Sequence, residues 1–390
     1  MTSTTTGFDE LQAAAASGGA QAVLDRLAEQ LLAEKKFHEL FEARKMQVRG
    51  SLGLPYLYDD SGDNLDDAQR EKLEDGLFAA CREVGLELLG EGKVREGWMY
   101  MRPVGDNEAA RAAIAEIEVD EDNLDDIVEV TLNEGVDVTR GYGLVLEHYG
   151  TCNAITTFES VMPHHSKDKQ QATAAMLVRH LHDELTATVR ADIAQQQGSE
   201  PAEQSLRELV ADRDWLFGEN SYHVDTTHLA SAVRFGRLLD DPEVLRIALD
   251  LTEYGRRLNE MFQHSDNEPF ADTYPAHALY FEALLGENVD AAIDYFRQKA
   301  TTVDIHRHGT SAVEVYIDLL SRVGRHQEAL QAATTMFPDD APSVGIAPSL
   351  LVLSEKAGNY DALMEYYRTR NNLLGYATGL IYADQKSSHP

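Results

Sequence analysis

Seven of the chain's fourteen histidines fall between residues 148 and 228: His148, His164, His165, His180, His182, His223 and His228. Imidazole binds metals and moves protons near neutral pH, so this stretch is the first place to look for chemistry. His180, His182, Glu184, His223, Asp225 and His228 are candidate ligands of one divalent ion. Their nitrogen and carboxylate donors suit zinc, iron or manganese, although neither an HExxH run nor a repeated ExxH is present. Without a metal, His148, His182, His223, Tyr222 and Arg179 are candidates for lining a pocket for general acid and base chemistry. Cys152 is a lone thiol with no recognisable catalytic frame. The structural alternative makes His182 a hydrogen-bonded core histidine, uses His228 in capping its helix, and pairs His180 with Glu184 on the surface.

Two helices must position these residues. Ser166 is an N-cap for a long helix that ends before Gly198, with Val178, Leu181, Leu185 and Val189 as its buried stripe. His182 lies on that buried side. His180 points elsewhere, four residues before Glu184, a spacing that brings imidazole and carboxylate to one face. Further on, Asp225, Thr226 and Thr227 are good caps, and apolar spacing resumes at Leu229, Ala232 and Val233. His228 therefore falls in a first helical turn, where the positive helix end favours neutral imidazole.

The remaining chain reads as helix after helix. Residues 1–20 form a loose tail with at most a short helix, 21–158 hold N-terminal helical repeats, and 159–240 hold the histidine-rich helices. Residues 241–384 hold C-terminal repeats and 385–390 a tail. Asp60, Asn64 and Glu71 fit an EF-hand-like calcium frame, but Leu65 stands where the sharp bend needs glycine; a solvated loop capping a helix from Asp66 accounts better for them. Asp241-Pro242-Glu243 is a helix start, and Ser311 with Glu314 makes a capping box. Leu229, Val233, Leu251, Leu319, Leu320, Leu330 and Leu363 join the expected core.

Gly324-Arg325-His326-Gln327-Glu328-Ala329-Leu330 places a glycine in a turn and an alanine at a helix crossing. Gly358-Asn359-Tyr360-Asp361-Ala362-Leu363 repeats that frame 34 residues later. Over about 310–372 the chain thus resembles tetratricopeptide-like repeats, whose period is of that length. The resemblance implies an all-α solenoid of antiparallel helix pairs with a concave face for a protein or peptide partner. It transfers no catalytic residue, and the first half of the chain is irregular against it.

Lys and Arg number 34 against 67 Asp and Glu, a formal net charge of −33. Such a field repels phosphate backbones and anionic lipid, which argues against nucleic acid or membrane partners. Two cysteines without a CxxC pair, no run of 18 apolar residues and no basic residue in the first twenty point to the cytoplasm. Two functions remain open: a scaffold or binding protein presenting a groove, and an enzyme, with or without a metal, sited between the 166–197 and 221–240 helices. Convergence of three or more of the histidines in one polar pocket is the mark of the second.

Overall fold

The computed structural model describes residues 7–57, 65–337 and 342–388. Among these every regular element is helical, and no described helix is long and apolar enough to cross a membrane. The chain divides into two compact units, Met1–Gly150 and Thr151–Pro390.

The first unit carries α1 (Gly7–Ala33), α2 (Phe37–Ser51), α3 (Asp67–Gly90), α4 (Val94–Met101), α5 (Asn107–Ala115), α6 (Leu124–Val128) and α7 (Val138–Leu144). The segment from Gly7 is helical where a loose tail was expected. Alanine is the strongest helix former, and Arg26 holds Glu10 across the break at Gly19, whose φ is 65°. Asp66 caps α3 by accepting from the backbone N–H of Gln69 at 2.7 Å. Asp60 and Asn64 of the calcium frame lie outside the described residues.

Where α3 crosses α4 the backbones meet directly. A Cβ on Gly85 would lie 3.1 Å from the Gly97 carbonyl oxygen, and one on Gly97 would lie 2.9 Å from that of Gly85. Around the crossing, Leu40, Val84 and Leu88 form one buried cluster with Phe37 and Ala28. Leu89, Val94, Trp98, Met101, Ile114 and Ile127 belong to a second, so Trp98 is a packing residue.

The second unit holds α8 (Gly150–Val161), α9 (Lys167–Gln197), α10 (Leu206–Ala211), α11 (Thr226–Phe235), α12 (Pro242–Arg257), α13 (Thr273–Leu284) and α14 (Val289–Thr302). It continues with α15 (Ile305–His308), α16 (Ser311–Arg322), α17 (His326–Thr335), α18 (Leu350–Ala357), α19 (Tyr360–Thr369) and α20 (Leu373–Ser388). The long α9 ends at Gly198 in the left-handed conformation and packs on α11 and α12. From α12 onward, longer helices that follow each other in the chain pack on each other: α12 on α13, α13 on α14, α14 on α16, then α16 through α20 in succession.

Val178, Leu181, Leu185, Leu229, Val233, Leu251, Leu319, Leu320, Leu330 and Leu363 are all buried. The period-3.6 stripe therefore identified the core face of these helices. Gly324 and Gly358 take positive φ of 81° and 64° in the two repeat-like turns, and Ala329 is fully buried at its crossing.

The capping box at Ser311 and Glu314 is not formed. Thr310 is the N-cap of α16, and Glu314 is fully buried. It takes the Thr310 hydroxyl at 2.7 Å and the backbone N–H groups of Val344, Ile346 and Ala347 at 2.7, 2.8 and 3.3 Å. An ionised carboxylate accepts several donors at once, so one side chain fixes a whole segment of irregular chain against α16.

Candidate functional site

Although α9 packs on α11, the candidate ligands go to separate partners. His180 Nε2 is 3.1 Å from the Thr151 hydroxyl and 3.9 Å from Glu184, which is itself exposed. The His182 side chain is 18% exposed, with Nδ1 3.7 Å from Asp183 and a buried Nε2 that has no hydrogen-bond partner among the described residues. Asp225 is the N-cap of α11, and its carboxyl group is held below the usual carboxylate range by the Thr227 hydroxyl and by the backbone N–H groups of Thr227 and His228. His228 takes part in that cap through its backbone. Among the described residues no three His, Cys, Asp or Glu side chains are grouped to hold a metal.

The candidates for acid and base chemistry are dispersed as well. Arg179 pairs with Glu243 at 3.0 Å. Tyr222 is exposed and packs its ring edge-to-face with Phe262. His148 belongs to the first unit and is exposed.

His223, rather than His182, is the hydrogen-bonded core histidine. Its backbone N–H donates to the Tyr254 oxygen at 3.0 Å, and its Nδ1 lies 2.8 Å from the same oxygen. The Asp192 carboxylate, 3.1 Å from Nε2, can only accept, so Nε2 carries a proton, and in the neutral ring Nδ1 then accepts from the Tyr254 hydroxyl. Burial pushes the Tyr254 phenol well above its ordinary range, so it remains a neutral donor. Asp192 comes from α9 and Tyr254 from α12, each 31 residues from His223; no local spacing marks that meeting.

The second unit contains a different concave site, a cleft of about 530 Å³ lined from five helices, the turn after α11 and the segment that Glu314 holds. Phe158 near the end of α8 stacks on Phe235 of α11, with ring centroids 4.2 Å apart. Lys167 opens α9, while Arg234 and Arg237 stand three apart at the end of α11 and in the following turn. Tyr280 comes from α13, Val315, Asp318 and Arg322 from α16, and Val344, Gly345 and Ile346 from the held segment.

Electrostatics divides the cations into fixed and available groups. Arg322 donates to the Arg237 carbonyl at 2.7 Å, the Tyr280 oxygen at 3.1 Å, Asp240 at 2.6 Å and the Leu239 carbonyl. Its two terminal nitrogens are therefore committed to holding the wall. Tyr280 in turn donates to Asp318 at 2.9 Å. Burial raises the Asp318 carboxyl's pKa against the opposing pull of Arg322.

Arg237 donates through Nε to the Arg234 carbonyl at 3.0 Å, and its guanidinium sits 4.7 Å from the centre of the Phe270 ring. Asp266 is 3.6 Å away, and burial lowers the guanidinium's pKa. Arg234 donates through Nη2 to Glu159 at 2.5 Å and to Ser231 at 3.2 Å. Lys167 is exposed and has no ion-pair partner among the described residues.

None of these lining residues was among the sequence candidates. The available signal was the scarcity of cations, 34 in 390 residues, which makes Arg234 and Arg237 on one side of a helix end worth noting. Nothing local connects them to Lys167 or Arg322.

The first unit has a more apolar cleft of about 360 Å³ between Phe41, Met46, Tyr56, Leu73, Leu77 and Phe78. Cys81 borders it, its thiol pKa raised by burial. No protein-family model, curated protein or solved structure matches this chain.

Proposed function

We propose that this chain is a helical-repeat binding protein that receives a segment of a protein partner in the cleft of its second unit. The observation that carries this reading is the cleft itself. Its volume of about 530 Å³ lies within the range of formed ligand sites. Its walls combine stacked aromatic rings with charged groups, and internal hydrogen bonds through Arg322, Tyr280, Asp318 and Glu314 hold those walls before any ligand arrives. Preorganisation of this kind lowers the ordering cost of binding. The tetratricopeptide-like frames at Gly324 and Gly358, and the succession of packed helices from α16 to α20, support an α-solenoid in this part of the chain.

The enzyme reading needed a set of histidines in one pocket. Their separate partners give it less support than the cleft gives to binding.

Selection of displayed random peptides on the full chain, repeated on Phe235→Asp, tests the proposal. Enriched sequences that bind the natural chain and lose affinity for the variant are expected. Failure to enrich any sequence, or enrichment indifferent to Phe235, overturns it.

A further inference from the structure

We infer that the segment received in this cleft is acidic and apolar, its carboxylate seated by Arg234 and Lys167; this rests on the binding reading above. The chain as a whole carries a net charge of −33, yet the cleft is lined by Lys167, Arg234, Arg237 and Arg322 against only Glu159 and Asp318. Asp240 and Asp266 pair with Arg322 and Arg237 from behind the lining, so the cationic charge open to an anion is that of Lys167 and of the unbonded edge of Arg234.

The four cations are not equivalent. Arg322 has both terminal nitrogens bonded to protein oxygens, and Arg237 is stacked on Phe270 with Asp266 beside it. Arg234 also lies over a ring, 5.3 Å from the centre of Phe235, but it hydrogen-bonds through Nη2 alone, leaving Nε and Nη1 without a hydrogen bond among the described residues. Lys167 has no ion pair there either. These two are the donors open to a ligand, and guanidinium is suited to a planar carboxylate.

The apolar share of the lining selects the rest of the ligand. Val344 and Ile346 are exposed and, with Leu238, offer contact to hydrocarbon over a floor of mostly buried Phe158, Phe235 and Val315, a contact that a bare inorganic anion cannot use. A nucleic acid would bring many charges into the field of the acidic chain, whereas a peptide with one or two carboxylates among apolar side chains brings few. Glu159 already lies 2.5 Å from Arg234 and so acts as an internal competitor. Neutralising it should strengthen binding, an effect that loss of structure would not produce.

The test uses short fluorescein-labelled peptides of alternating leucine and glutamate, with glutamine and lysine counterparts, titrated with the full chain and followed by anisotropy. The glutamate peptide is expected to bind about tenfold or more tightly than the glutamine one, the scale of one charge-assisted hydrogen bond. Arg234→Ala and Lys167→Glu should erase that preference. Glu159→Gln should tighten glutamate binding several-fold, and Lys169→Glu, on α9 outside the cleft, should change little. Glutamine or lysine peptides binding as well as the glutamate one, or a preference that survives both cleft variants, overturns the acidic ligand while leaving the binding reading in place. Absence of binding by all three peptides counts against both.

Discussion

The buried carboxylate of Glu314 accepts the backbone N–H of Ile346 at 2.8 Å, a bond from the first turn of α16 to a segment 32 residues further along the chain. With the bonds from Val344, Ala347 and Thr310 it satisfies one buried charge and gives the cleft part of its wall. A buried ionised acceptor surrounded by donors is stabilising, while the same group with its donors unmatched is costly.

Glu314→Gln puts an amide N–H₂ where three backbone N–H groups can only donate and the Thr310 hydroxyl alone can turn to accept. The variant should lose about 2–3 kcal/mol of unfolding free energy, the scale of hydrogen bonds to a charged group left unmade. Urea titration with hydrogen exchange checks this. Faster exchange at Val344, Ile346 and Ala347 is expected, and unchanged exchange at those amides would show that the carboxylate does not hold the segment.

Tyr254→Phe removes the oxygen that serves both the backbone N–H and the Nδ1 of His223. Two groups around a mostly buried imidazole lose their partner, so the expected loss is about 1–3 kcal/mol. The cleft is formed by other residues, and peptide binding should persist in the folded variant. A chain as stable as the natural one would mean that His223 finds equivalent partners.

His277 provides the pH dependence. It is fully buried, stacks on Phe270 with centroids 4.2 Å apart, and its Nδ1 meets the Thr273 carbonyl. Burial holds its pKa well below the ordinary 6.5, with Arg237 adding in the same direction. A depressed value means that the unfolded chain takes up the proton first. The imidazole's contribution is complete above about pH 6.5 and declines as pH falls below that value. Between about pH 7.5 and 5.5 the chain should lose roughly 1 kcal/mol that His277→Gln does not lose. Equal pH slopes in the two proteins would contradict this.

The dispersal of the histidine candidates predicts the outcome of metal analysis. Protein purified without chelator should carry far less than one zinc, iron or manganese per chain by mass spectrometry. His182→Ala and His228→Ala should not alter that content. Near-stoichiometric metal lost in both variants would restore the central histidines as ligands.

Helix boundaries and core faces were legible in advance where the signals are local. Ser166 and Gly198 bracket α9, Asp225 caps α11, Asp241-Pro242 opens α12, and the stripe from Val178 to Leu363 is buried. Those signals arise within a few residues of chain, from cap chemistry and the 3.6-residue period. Partner choice does not arise in that way. Glu314 has the spacing of a capping box but bonds a segment about thirty residues away. His182 lies on an apolar side but lacks a partner for Nε2, while His223, in an irregular stretch, is satisfied from two other helices. The cleft joins residues as distant as Phe158 and Ile346, so charge and periodicity along the chain could not assemble it.

The backbone contact between Gly85 and Gly97 has a consequence for how this sequence can drift. A Cβ on Gly85 would strike Met101 Cγ at 2.7 Å and one on Gly97 would strike Leu89 Cγ at 2.7 Å, with the facing carbonyl oxygen close behind in both cases, so neither can change alone without displacing its neighbour. Any branch of descent that replaces one glycine must compensate at the facing helix, through Leu89 or Met101, whose side chains the new atom would strike. Substitutions at these four sites should therefore travel together, as a linked set inherited or altered as one.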